Sequence, residues 1–135
     1  MNFIVQRFAK NIGTSRKGWM KKRSKFFSKK VIVEGIKFDS IKEANTYLKL
    51  KELEKKGEIK DLELQKEYVL QEKFKLNNKT RRPITYRADF KYITTKDDKL
   101  HVVDVKSPYT AKDKVYRIKK KMFEYKYKIE LEEII

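Results

Sequence analysis

The chain contains no cysteine. Disulfides and cysteine-ligated zinc are therefore excluded, and a reducing compartment, the cytoplasm, is the expected location. Histidine occurs once, as His101. No apolar run approaches the roughly 18–20 residues of a membrane-spanning helix. Met1 to Val5 has no preceding basic region and no long apolar stretch after it, so neither a membrane partner nor a secretory leader is expected. Acids are missing from the first thirty residues, which hold ten Lys or Arg and no Asp or Glu.

What is present is positive charge. The 135 residues carry a net charge of +17, large for one domain with a core of its own. Such a surface favours polyanions, chiefly nucleic acid. AT-rich coding explains a preference for Lys over Arg, but not the excess of bases over acids. The segment from Lys10 to Lys30 reads as a basic arm, which divides the chain into an arm over residues 1–30 and a domain over residues 31–135. Arg16, Lys17, Lys21, Lys22 and Arg23 are its candidate phosphate contacts. If the arm places about six charges on phosphates, affinity falls roughly a thousandfold between about 50 and 200 mM salt. Trp19, Phe26 and Phe27 can stack on bases or dock the arm on the core.

The domain reads as an α/β chain of the α+β type. Val31-Ile32-Val33 and Ile36-Lys37-Phe38 flank Glu34-Gly35 as a hairpin. A helix starts after Ser40, with Ile41, Ala44, Tyr47, Leu48 and Leu53 at helical spacing and Gly57 as its stop. Ile59 to Gln65 reads as a bend into a strand over 67–76, and Asn77-Asn78-Lys79 as a turn. Strands over 84–94 and 100–106 follow, the last ended by Pro108. A second helix is expected over 111–125, its stripe made by Val115, Ile118, Met122 and Tyr125. A strand over 129–135 closes the chain. The short turns pair the three middle strands as an antiparallel meander in a mixed central sheet. Two helices cover it, in the order αβββαβ after the hairpin.

The run Val102-Val103-Asp104-Val105-Lys106 sets an acid and a base two positions apart in an apolar strand. Strand side chains alternate, so Asp104 and Lys106 share a face. A charge buried in a sheet is costly unless it is paired or binds a metal. A second acid, Asp89, sits fifteen positions upstream between Ala88 and Phe90. Two strand acids and a strand lysine suggest a divalent-metal site beside a phosphate. Mg²⁺ takes oxygen ligands and keeps several waters, so two or three carboxylates suffice. Converging carboxylates repel by about 4 kcal/mol per pair at ~4 Å with an effective dielectric near 20. One lysine does not offset three acids, so such a cluster calls for a cation.

This order of elements with Asp89 and Asp104-Val105-Lys106 resembles the PD-(D/E)XK nuclease superfamily. The text from Gly35 to Ser40, through Glu43-Ala44, Gly57-Glu58-Ile59 and Val103 to Ser107, to Tyr116, is similar to a family of small phage and prophage proteins placed there by motif. The resemblance covers about residues 30–135. It implies a restriction-endonuclease-like core and a Mg²⁺-dependent DNA endonuclease, with Mn²⁺ able to substitute, in the host cytoplasm. Branched, replicating or recombining DNA is the implied substrate. Asp89 and Asp104 would ligate the metal, with the Val105 carbonyl between them. Lys106 would orient the attacking water, and Glu43 would ligate through water or a second metal. The pair opens with Asp104 where many members carry Glu, and the shorter side chain shifts the metal. Cutting both strands symmetrically would call for a homodimer.

Other readings stand beside these. Ser40-Ile41-Lys42-Glu43 fits a capping box, which alone accounts for Glu43. Glu63 and Gln65 are either site-adjacent or the solvent face of an edge segment. Arg87, Lys114 and Lys120 are candidate contacts to the nucleic-acid backbone or ordinary solvated charges. His101 opposes Asp104 in strand parity and should face away. Tyr68, Tyr86, Tyr92 and Phe90 read as sheet packing. The chief alternative is a basic nucleic-acid-binding protein that keeps the fold without catalysis.

Overall fold

A computed structural model describes residues 30–135. Glu34 and Gly35 both take positive φ, 52° and 78°. That pair closes the two-residue turn whose twist suits a hairpin. It joins β1 (Val31–Val33) to β2 (Ile36–Phe38), with Val31 opposite Phe38. Helix α1 (Ile41–Lys55) follows. Its first turn is capped by Ser40, whose Oγ accepts the Glu43 N–H at 3.1 Å. The helix packs on the hairpin through Tyr47, whose ring lies 5.1 Å from that of Phe38 and whose hydroxyl donates to Glu34. Leu50 is buried, while Ile41, Leu48 and Leu53 of the expected stripe are only half-buried.

The chain divides into two compact units between Lys55 and Lys56. The second holds β3 (Ile59–Gln71), β4 (Phe74–Leu76), β5 (Lys79–Arg81), β6 (Ile84–Thr94), β7 (Lys99–Val105), helix α2 (Lys114–Tyr127) and β8 (Leu131–Ile134). The central sheet runs β3-β6-β7-β8. Its first three strands are antiparallel and β8 lies parallel to β7. A parallel return needs a crossover, and α2 supplies it. The domain is thus mixed α+β, with a mixed central sheet and two helices in the chain.

Three expectations need correction. Ile59 to Gln65 is not a bend before a strand: β3 is continuous from 59 to 71. It absorbs the irregularity as a register shift between Lys60 and Glu63 and as positive φ at Asp61 and Gln65. The expected strand over 67–76 is split. Beyond the pair Gln71–Ile84 stands Pro83, which has no N–H for the ladder, so β4 leaves the sheet and pairs with β5 alone. The helix stripe is also displaced. Val115, Ile118 and Tyr125 are 60%, 60% and 78% exposed, whereas Tyr116 and Phe123 are buried, with Met122 and Tyr127 beside them. Aromatic rings bury far more apolar surface than Val or Ile, so their register wins. Phe123 meets Tyr68 edge-on at 4.9 Å and Tyr127 at 5.2 Å.

The start of α2 is tightly specified. Ser107 and Thr110 exchange hydrogen bonds after β7, Ser107 N–H to Thr110 Oγ1 at 2.8 Å and Thr110 N–H to Ser107 Oγ at 3.0 Å. Asp113 then caps the helix by accepting the Tyr116 N–H at 2.9 Å. This fixes Tyr116 over the end of β7.

Candidate active site

The ladder between β6 and β7 runs from Thr94–Lys99 to Phe90–Val103 and stops there. At the next position the Asp89 carboxylate stands where a backbone acceptor would be. Its Oδ2 accepts the Val105 N–H at 2.8 Å. Its Oδ1 accepts from Gln65 Nε2 at 3.0 Å. Gln65 reaches across from β3 with φ of 53°, in a region a branched-chain or bulky residue avoids and a glutamine enters only under constraint. Asp89 is thereby held from two sides while remaining half-buried.

Asp104 is 1% exposed. Its Oδ2 accepts from the Tyr86 hydroxyl and lies 3.1 Å from Lys106 Nζ. Oδ1 takes part in neither contact. Lys106 in turn sits 4.4 Å from the centre of the Tyr116 ring. One ammonium is thus pinned between a buried carboxylate and an aromatic face. Burial, and then the charge of Asp104, push the Tyr86 phenol far above its ordinary range. Burial and the same carboxylate raise Tyr116 as well. Both phenols are held in the protonated form at neutral pH, so Tyr86 donates to Asp104.

Glu133 on β8 is in register with Asp104, and its carboxylate takes the Lys120 ammonium. Among the described residues no group of three or more His, Cys, Asp or Glu is arranged to hold a metal ion.

Of the expected site residues, Asp89 in the middle of β6 meets Gln65 of β3 and the Val105 N–H, and Asp104 with Lys106 lies beside Val105 at the end of β7. The Val105 contribution seen is its N–H rather than its carbonyl. Glu63 pairs instead with Lys91 and Lys66, at 3.6 and 3.7 Å. Glu43 is buried on α1 in the first unit, where the Ser40 cap is formed. Arg87 is exposed, 3.9 Å from Glu67. Lys114 and Lys120 line an open cleft along α2 of about 710 Å³, with Lys120 committed to Glu133. His101 is occupied elsewhere, stacked on Tyr92 and 3.0 Å from Glu132. Arg16, Lys17, Lys21, Lys22 and Arg23 lie outside the described residues, as do Trp19, Phe26 and Phe27.

A family described as "Protein of unknown function (DUF1064)" matches residues 23–135. The chain belongs to this family. No curated protein and no solved structure matches it. The DUF1064 match covers all of the second unit and every residue of the cluster, so the cluster belongs to the family domain and not to an appendage of it.

Tyr86 packs in the core as its sequence suggests, but the reach of its hydroxyl to Asp104 is not legible in the sequence, and neither is the place of Glu133. Tyr86 has the opposite strand parity to Asp89, which hides its approach to Asp104. Beyond the last ladder pair at Phe90, Asp89 takes the Val105 N–H and the Tyr86 hydroxyl reaches Asp104. Glu133 depends on the parallel register, which the crossover sets and no local pattern announces.

Proposed function

We propose that this DUF1064 protein is a Mg²⁺-dependent DNA endonuclease, with Asp89, Asp104 and Lys106 at its centre. The observation that supports this best is the buried Asp104 held beside Lys106, with Asp89 fixed one strand away. The donor set fits the ion. Mg²⁺ binds through one or two carboxylates plus waters and substrate phosphate, rather than in an all-protein cage. Asp104 Oδ1 and the half-exposed Asp89 carboxylate are the oxygens that would hold it. Bound there, the cation would supply a water of lowered pKa and neutralise phosphate charge.

The chain's own part is positioning and charge. Tyr86 and Lys106 fix Asp104 in one rotamer. Gln65 and the Val105 N–H do the same for Asp89. Lys106, held by the Tyr116 ring, presents a fixed positive charge to the phosphate, where negative charge grows as water attacks phosphorus and the ester oxygen leaves. The net charge of +17 supplies affinity for the backbone. Branched or recombining DNA is the substrate class we favour.

A specific observation favours a second reading. Tyr86 and Lys106 already satisfy Asp104 Oδ2 without any cation, as they would in a non-catalytic binder. Supercoiled plasmid and a four-way junction, incubated with Mg²⁺, Mn²⁺ or EDTA, separate the two. The nuclease reading expects metal-dependent cleavage that drops at least about a hundredfold in Asp104→Asn, Asp89→Asn and Lys106→Ala, each losing a group that contacts the charge of the transition state. Shifted but intact DNA under both metals would establish the binder instead.

A further inference from the structure

Residues 73–82 carry five cations, Lys73, Lys75, Lys79, Arg81 and Arg82, and no acid. They form the two-stranded ribbon of β4 and β5, a sheet of its own apart from the central one. Every residue from 71 to 84 is exposed. The tip is built to be tight: Asn77 and Asn78 both take positive φ, 49° and 63°. This is the twist-matched turn that asparagine tolerates best after glycine. The ribbon is therefore an ordered projection rather than a slack loop.

Its pairing sorts its side chains. Phe74 opposes Arg81 and Leu76 opposes Lys79, so these four share one face, and Lys75 with Thr80 takes the other. Phe74 is 43% exposed and Leu76 54%. A face that mixes bare apolar groups with cations suits a partner that offers phosphates beside sugars and base edges. The B-DNA major groove, about 12 Å wide, admits a two-stranded ribbon. The major groove of duplex RNA is too narrow for side chains to read.

We propose that the β4–β5 ribbon is a DNA-gripping arm that enters the major groove of duplex DNA. Lys79 and Arg81 take phosphates, and Phe74 and Leu76 pack against the groove wall. The ribbon is rooted at Ile84, five residues before Asp89 on β6. At strand rise that is about 17 Å, roughly half a turn of B-DNA. On the nuclease reading, and only on it, the root of the ribbon falls about half a turn from the cut phosphate, and Lys79 and Arg81 reach beyond that.

The test uses the full chain in EDTA, so that binding is read without cleavage. The double charge reversal Lys79→Glu with Arg81→Glu is compared with a matched one at the far end of the sheet, Lys96→Glu with Lys99→Glu. The probes are a DNA duplex and an RNA duplex of about three helical turns. The ribbon variant is expected to bind DNA at least tenfold more weakly, with a log–log salt slope shallower by about 1.8 for two lost phosphate contacts. The control should lose clearly less of both. Equal losses in the two variants would overturn the proposal, because general charge would then explain them. So would a loss confined to the RNA duplex. Removal of residues 73–82 in favour of an Asn-Gly turn must reproduce the effect, with the unfolding midpoint as the check on folding. A wild type that never cleaves DNA, yet loses affinity only through the ribbon, defeats the nuclease reading and leaves this one standing.

Discussion

Tyr86 decides how Asp104 behaves. Its phenol is buried against that carboxylate and is raised far above an ordinary tyrosine. An unfolded tyrosine loses its proton near pH 10. Above that pH the unfolded chain holds fewer protons than the folded one. The stabilisation is therefore complete below about pH 10 and declines as pH rises. One such group contributes a slope of at most about 1.4 kcal/mol per pH unit. Tyr47, Tyr68, Tyr92 and Tyr116 are raised too, so the alkaline decline is shared. Tyr86→Phe should flatten it by close to one proton's worth, read from urea midpoints between about pH 9 and 11. An identical decline in the variant would show that the phenol does not titrate with unfolding. Removing the other partner acts at neutral pH. Lys106→Ala leaves a buried carboxylate with one donor. It should cost about 2–3 kcal/mol in urea unfolding, less than the roughly 3–5 kcal/mol of a fully buried pair because Lys106 is part-exposed.

At the scale of elements, α2 shows what a sequence can and cannot disclose. Its existence, and that of the strands other than the split one and β5, follows from periodicity and from turn residues such as Glu34-Gly35 and Asn77-Asn78; β5 begins at Lys79, which reads as turn. Its buried face does not follow. Val115, Ile118, Met122 and Tyr125 are spaced as well as Tyr116, Phe123 and Tyr127, and the sheet's Tyr68 and Tyr86 select between them. The contrast is measurable. Phe123→Ala should cost about 3–5 kcal/mol as a large cavity. Ile118→Ser, on the stripe first expected to be buried, should stay within about 0.5 kcal/mol. Similar losses in thermal or urea unfolding would contradict this packing. The site divides the same way. Asp104 and Lys106 are legible because a period of two forces them onto one face. The hold of Val105 on Asp89 is not legible, since it exists only where the ladder stops. Nor is Tyr86, whose parity points away from Asp89 until the strands part.

Across the whole molecule, the charge is less evenly spread than the total of +17 suggests. Residues 1–30 contribute +10, and residues 31–135, with 26 bases against 19 acids, contribute +7. In the second group many bases are already spent on acids of their own unit, as Lys120 is on Glu133 and Lys91 on Glu63. The first thirty residues hold no acid to spend theirs on. They should therefore dominate non-specific affinity, while on the nuclease reading the cluster on β6 and β7 would govern cleavage. Replacing Arg16, Lys17, Lys21, Lys22 and Arg23 by Ala tests this separation. If each of the five meets a phosphate, the salt slope of duplex binding should fall by about 4.5. The metal dependence of cleavage at low salt should be untouched, because no carboxylate of the cluster is altered. A slope equal to that of the unaltered chain would move the weight of binding to residues 31–135. The ribbon of β4 and β5 would then be the first place to look for it.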